Sequence, residues 1–427
     1  MPRAIRSLPL IQHWDCHACG HCCTDYQVPV TAEERARIMA QGWESEPDFQ
    51  GVPLFVRASP WWQFWRRDYR LNQRAGDRCV FLNEKGLCRI HAQHGFETKP
   101  LACRLYPYIL VPAGKEYRLS MRFACPSVAA NRGRPVAAQA DDLRALGEEL
   151  ETWGRSAGQS AREEDVPPPP LTRGRTLGWP ELQALLDAWQ AIINDASDPF
   201  PRRWLRALRL LDFLKRAKTD DLKGTEFRKL LMLLLPTVSV DVPTDLERVG
   251  PPSWVGRVLF RTTAAIYLRK DSGVRTGLAR RGRLALMLAM VRMLRGRGRL
   301  PELQRGLPDR GLDELEEPLG PLTAESNAVL ARYYSIKLES LQFCGSAFFG
   351  LPVDEGLRAL ALTLAVILWL ARGYRDLGQP ESVYKAMTVV DENFGYNPLL
   401  GQFRQRWSMR ILAERGELEK VLVWMSR

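Results

Sequence analysis

The sequence has no uninterrupted apolar run long enough to cross a bilayer. The longest, Ala359 to Ala371, is interrupted by Thr363 and falls short of the roughly 20 residues a spanning helix needs. It reads as a buried core helix, and no membrane insertion is expected. The stretch before Cys16 carries Pro2 and Pro9 and no extended apolar segment or small-residue cleavage site. No secretory leader is expected from it, and a cytoplasmic protein is the expectation. A Gly-rich turn after a strand is also lacking, which removes a Rossmann-like nucleotide site. Acid is missing from Arg275 to Arg299, where eight arginines stand.

The rest of the composition is ordinary. Apolar residues make up 45% and charged residues 26% of 427 positions, which excludes wholesale disorder and leaves room for two or three domains. The formal charge of +12 points to an acidic partner, but thiolates bound to metal would cancel much of that excess.

Two textures divide the chain. Up to about Pro135 it is rich in Cys, Pro and aromatics and holds eight of nine cysteines and all five histidines. Beyond about Ala140 helical patterns follow one another, with Cys344 alone among them. The tetraproline Pro167 to Pro170 disfavours regular ladders and reads as a surface spacer. The fold expected is mainly α: a small, irregular, Cys-rich metal-binding domain over residues 1–135, a Pro-rich linker over 136–180, and a larger all-α helical domain over 181–427.

Local signals sharpen this picture. Thr31-Ala-Glu-Glu34 is a capping box, predicting a helix to Gln41 that stops at Gly42. A short helix is predicted from just after Cys88 to near Gly95. Val80 to Leu82 and Tyr108 to Val111 read as short strands. The aromatic concentration Pro60 to Trp65 reads as packing around a small site. Trp204, Leu208, Leu211 and Leu214 recur at helical spacing. Similar patterns cover 181–195, 226–235, 277–294, 324–343, 354–373, 381–394 and 404–424, the last weakened at Gly416.

The cysteines carry the chemistry. Cys16, Cys19, Cys22 and Cys23 lie within eight residues, and a two-residue spacer lets a turn aim two sulfurs at one ion. Gly20 supplies the conformational freedom such a turn needs. Cys79, Cys88, Cys103 and Cys125 complete the candidate metal ligands. Eight sulfurs could make two four-coordinate zinc sites, a cubane plus a second ion, or one cluster with spare thiols. Thiolates select zinc, copper(I) or iron–sulfur chemistry over hard cations. Adjacent side chains diverge, so Cys22 and Cys23 are expected to serve different ions unless one bridges. His17, His21 and His91 read as neighbours of the ligands, and Cys344 as a small buried hydrophobe.

Other candidates are weaker. Glu339 near Tyr333 and Tyr334, and Asp391 with Glu392, could assist chemistry, but helical carboxylates usually belong to solvated surfaces. No catalytic residue is singled out. The arginine-rich stretch reads as one buried helix with basic exposed ends, and nucleic acid is not an expected partner, because no nucleic-acid module accompanies the charge.

The ordered motifs Cys-x-x-Cys-x-x-Cys-Cys, Cys79-Val-Phe-Leu, Gly86-Leu-Cys88-Arg-Ile and Lys99-Pro-Leu-Ala-Cys103-Arg-Leu-Tyr-Pro107 resemble the YkgJ-type cysteine-cluster family from Cys16 to about Pro126. That resemblance implies a zinc- or iron-chelating domain, with a bound [4Fe–4S] cluster or zinc. The flagellin lysine N-methylase family (FliB) begins with a similar domain followed by helices. Similarity to it implies methyl transfer from S-adenosylmethionine to protein lysines, and so a lysine-bearing protein substrate. The spacing Cys-x-x-x-Cys-x-x-Cys of radical enzymes is absent. Three readings stand: a metal- or cluster-binding protein, a cluster-dependent lysine N-methylase, and a zinc-stabilised adaptor without catalysis.

Overall fold

A computed structural model describes residues 3–8, 11–24, 26–59, 68–156, 165–217, 221–270 and 282–427. Among the described residues are fifteen α-helices, with strands confined to two- and three-stranded sheets. The mainly α expectation holds, with a Cys-rich N-terminal region followed by helices. The aromatic segment Pro60 to Trp65 and the arginines Arg275, Arg280 and Arg281 lie outside the described residues.

Local signals translate directly into structure. Thr31 Oγ1 accepts from the Glu34 amide while the Glu34 carboxylate accepts from the Thr31 amide, and the helix runs Ala32–Met39. A helix spans Arg89–His94 between Cys88 and Gly95. The predicted strand at Tyr108 is the first arm of an antiparallel hairpin, Tyr108–Ala113 with Glu116–Met121. Ala4–Arg6 adds to the second arm in parallel. Val80 to Leu82 is instead a turn after the strand Arg78–Cys79, with the Leu82 amide bonded to the Cys79 carbonyl. Val80 and Phe81 both enter the core from this turn.

Most later helices fall where periodicity places them, including Trp179–Ile193, Phe200–Arg216, Ala324–Glu339, Val353–Gly373 and Glu381–Asn393. The terminal pattern is split into Phe403–Glu414 and Glu417–Trp424 by Gly416, at a φ of 65° that favours glycine. Two of the longer helices have no counterpart in the pattern reading. Ala140–Ser156 lies in the stretch read as a linker, and Trp254–Tyr267 docks through Gly256, Phe260, Ala264 and Tyr267, where small residues hide the stripe. Pro170, the last of the tetraproline, opens the strand Pro170–Thr172, and Val166 just before the prolines exchanges both backbone hydrogen bonds with Gly114.

Helix Arg283–Arg295 overturns the buried-helix reading of that stretch. Only Ala289 and Met293 are buried, whereas Leu284 is 70%, Met287 65% and Met290 62% exposed. The apolar run there is two-sided, so one stripe packs inward and the other faces out.

Two apolar cores form among the described residues. The smaller gathers Val30, Ile38, Trp43, Phe49, Leu54, Leu71, Val80, Phe81 and Ile90, with edge-to-face contacts of Trp43 with Phe49 and Phe81. The larger runs from Tyr108 to Met425 and is centred on Val353–Gly373, whose apolar stretch Ala359–Ala371 is buried throughout. Gly356 is required there because a Cβ would meet the Phe343 carbonyl at 2.0 Å. Among the described residues, no helix is long and apolar enough to cross a membrane.

The hairpin and the segment after it join the cysteine-bearing region to the helices. Ser120 donates to Gln342, and Arg118 to the Glu339 carbonyl. Lys337 and Asp391, both fully buried, form an ion pair at 2.7 Å. Asp391 Oδ2 also accepts from the Ala124 amide at 3.0 Å. Helical carboxylates here are therefore not solvated surface groups: Asp391 and Glu339 are 1% and 6% exposed. Glu339 faces Arg6 and Arg118, and Glu392 is paired with Lys270.

Candidate metal centre

The loop bearing the first four cysteines is shaped by its backbone. Asp15 is pinned at one end, its amide donating to the Arg132 carbonyl and its carboxylate accepting from the Arg134 amide and guanidinium. Ala18 and Gly20 take φ values of 52° and 69°, turning the chain sharply between Cys16 and Cys22. The Cys23 amide then bonds to the Gly20 carbonyl, and the Thr24 amide to that of His21. Gly86 backs this loop, since a Cβ at its φ of 78° would press on the Ala18 carbonyl at 3.3 Å.

The other four cysteines arrive from separate elements. The Cys79 amide donates to the Cys23 carbonyl at 2.7 Å, stitching the strand Arg78–Cys79 to the loop. Cys88 is the residue before helix Arg89–His94, and Cys125 holds the same place before Pro126–Ala129. Cys103 sits in helix Leu101–Leu105, whose first amide donates to buried Glu34 at 2.6 Å. Backbone amides of His91 and Ile90 face the Cys88 sulfur, and those of Val128 and Ser127 face Cys125; both sets favour the thiolate.

Of these eight cysteines, all but Cys79 line one cavity of about 270 Å³. Its walls include Trp14, Leu87, Phe96 and Tyr106, and its rim carries His17, His21, His91 and Lys99. Cys22 and Cys23 do not diverge: both face this cavity, and the Cys22 thiol hydrogen-bonds to Cys23. Cys79 lies behind it, close enough for its charge to act on Cys103 and Cys23 to act on it. Cys344 is 2% exposed in the helical core, away from the other sulfurs.

Burial and mutual repulsion hold most of these thiols neutral in the metal-free chain. Burial pushes Cys79 up to about 12 and raises Cys88, Cys103 and Cys125. Cys22 rises because it donates to Cys23 and is buried, while Cys23 drops to about 7 through that hydrogen bond, against burial and aided by Lys99. A cation placed among the sulfurs would reverse the balance and ionise them. Among the described residues, no three Cys, His, Asp or Glu side chains already converge on one ion's position. The sulfurs surround a void. The buried Tyr106 hydroxyl on its wall has no hydrogen-bond partner, so a polar occupant would satisfy it. The donor set and the void both fit a thiolate-bound metal group.

Residues 15–126 match the CxxCxxCC family model. Its description is "Putative zinc- or iron-chelating domain". No curated protein and no solved structure matches the chain. The CxxCxxCC segment ends one residue past Cys125, so it contains all eight clustered cysteines and excludes Cys344.

Sequence reasoning passed over several residues on the cavity wall, Phe96, Lys99, Tyr106 and Trp14 among them. Lys99 and Tyr106 stand within the motif around Cys103, where their place beside that cysteine could have marked them. Trp14 carries no such signal; it reaches Cys125 only because the strands His13–Trp14 and Arg134–Pro135 pair.

Proposed function

We propose that the N-terminal region binds an iron–sulfur cluster of the [4Fe–4S] type, held by cysteines among Cys16, Cys19, Cys22, Cys23, Cys79, Cys88, Cys103 and Cys125. The observation that carries this reading is the single 270 Å³ cavity faced by seven of them. A closed zinc site draws four ligands to about 2.3 Å and needs no such space. The void is several times the ~30 Å³ share of one water, room for an inorganic cluster rather than one ion. Cluster sulfurs are also stabilised by backbone N–H donors, and those beside Cys88 and Cys125 are already aimed. When bound, such a group supplies electron storage or a Lewis-acidic iron. The chain's own part is to exclude bulk water with Leu87, Phe96 and Tyr106, to balance thiolate charge with Lys99, and to keep the four segments in register.

Anaerobic purification followed by iron, sulfide and zinc analysis tests the reading. Iron and acid-labile sulfide near ~4 each per chain, with sulfide-to-iron charge-transfer absorption, is the expected result. A colourless protein holding only zinc would replace it with the structural-zinc adaptor reading.

One observation favours methyl transfer to protein lysines as a second reading. A cleft of about 550 Å³ shares Cys19, Gly20, His21 and Gly86 with the cysteine cavity and is lined on its far side by Glu392. An ammonium group, that of Lys270, already rests on Glu392 and 5.0 Å from the Tyr26 ring centre. Incubating the cluster-loaded protein with labelled S-adenosylmethionine and lysine-rich proteins tests it; no label transfer with an intact cluster removes it.

A further inference from the structure

The helical region contains a second cavity, of about 680 Å³, that shares no wall residue with the cysteine cavity. Its size is usual for a small-molecule site. Helices Phe200–Arg216, Val353–Gly373 and Phe403–Glu414 bound it, and the turn of the hairpin Pro170–Thr172 and Arg175–Thr176 closes one side.

Besides Arg216 and Glu414, the charges of its wall fall into two groups. In the first they balance: Lys215 pairs with Asp354 at 2.9 Å and Arg358 with Asp212 at 2.8 Å. In the second, Glu355 alone meets three guanidinium groups, with Arg173 Nε at 3.1 Å, Arg406 Nε at 2.8 Å and Arg410 Nη2 at 3.7 Å. Arg173 and Arg406 each engage Glu355 through Nε, and their terminal nitrogens have no protein acceptor among the described residues. A guanidinium fork with free terminal N–H groups is suited to bidentate binding of carboxylate or phosphate.

Gln405 provides an independent sign of a missing partner. It is 5% exposed, lines this cavity, and its Nε2 has no hydrogen-bond acceptor. Buried amide donors are rarely left unpaired. Phe348 and Met409 give the same cavity an apolar surface.

We propose that this cavity binds a small organic anion, a carboxylate or phosphate whose charge meets Arg173 and Arg406. An oxygen of the ligand accepts from Gln405, and its apolar body lies on Phe348 and Met409. The site is separate from the cysteine cavity and stands whether that cavity holds iron or zinc.

Calorimetric titration of the full chain with phenyl phosphate, phenylpropionate and neutral phenylpropanol tests the proposal. Saturable binding of at least one anion, with no binding of the alcohol, is expected; which anion binds identifies the headgroup. Arg173→Gln should weaken that binding about tenfold, the loss of one charge-assisted hydrogen bond. The Arg173 side chain is 58% exposed, so this variant keeps the fold. Gln405→Leu should weaken it as well. Failure of both anions to bind, or affinity unchanged in both variants, would overturn the assignment.

Discussion

Replacing Lys337 by Met tests whether the buried ion pair couples the cysteine-bearing segment to the helices. Lys337 and Asp391 are 0% and 1% exposed, 2.7 Å apart. Lys337 Nζ also donates to Gln342 Oε1 at 2.7 Å and to the Met121 carbonyl at 3.1 Å. Burial pulls the ammonium below its ordinary value and Asp391 opposes that shift. Removing the cation strands a carboxylate in the core, a change that costs about 3–5 kcal/mol. The Met121 carbonyl also loses this donor, whereas Gln342 Oε1 keeps the hydrogen bond from Ser120. Removing both charges in Lys337→Met with Asp391→Leu should restore much of the loss, because well-packed apolar pairs often replace buried ion pairs without penalty. It also deletes the acceptor of the Ala124 amide, next to Cys125, so metal content should fall in the double variant. Urea unfolding followed by circular dichroism, at unchanged m-value, measures the coupling. A loss under ~1 kcal/mol for Lys337→Met, or a double variant as unstable as the two single losses added together, would refute the reasoning.

Four further outcomes are expected. Cys22→Ser and Cys103→Ser should lower bound metal per chain, while Cys344→Ser leaves it unchanged, as elemental analysis would read. Glu34→Ala removes the reciprocal half of the capping box, the acceptor for the Thr31 amide, together with the acceptor for the Leu101 amide. It should cost about 1–3 kcal/mol in urea unfolding and reduce metal content through Cys103. Hydrogen bonds from Ser197 and Arg206 hold the Asp195 carboxyl down at about 2, below its unfolded value of about 3.9. Its stabilisation is therefore complete above that unfolded value and lost as pH falls toward 2. Asp195→Asn should accordingly lower Tm at neutral pH and have little effect at the acid end. Chelation under reducing conditions should expose the N-terminal region to protease first, because its nine-residue apolar core is small beside that of the helices.

Features with local causes could be read from the chain before folding. The Thr31 box requires only residues three apart, and Gly95, at a φ of 89°, ends the helix that follows Cys88. Periodicity located Val353–Gly373 because nearly every turn of it is buried. It misjudged Arg283–Arg295 because apolar residues on two faces give the same pattern whether one face or both is covered. Val80 to Leu82 looked like a strand because three apolar residues in a row do not reveal that a turn can bury neighbours together. Asp391 and Glu339 looked like solvated carboxylates because their partners are remote: Ala124 lies 267 residues from Asp391.

Residue order alone determined that eight thiols crowd into the first third of the chain, and that spacing of two favours a turn aiming sulfurs together. Tertiary structure decided that Cys88, Cys103 and Cys125, borne on three different helix starts or turns, face the same void as the Cys16–Cys23 loop. It also decided that Cys79 lies behind that void and that Cys344 is sealed in the helical core. The physical reason is reach. Turn geometry and caps act over three or four residues, whereas a cavity forms only where burial and long-range hydrogen bonds bring distant segments to a common wall.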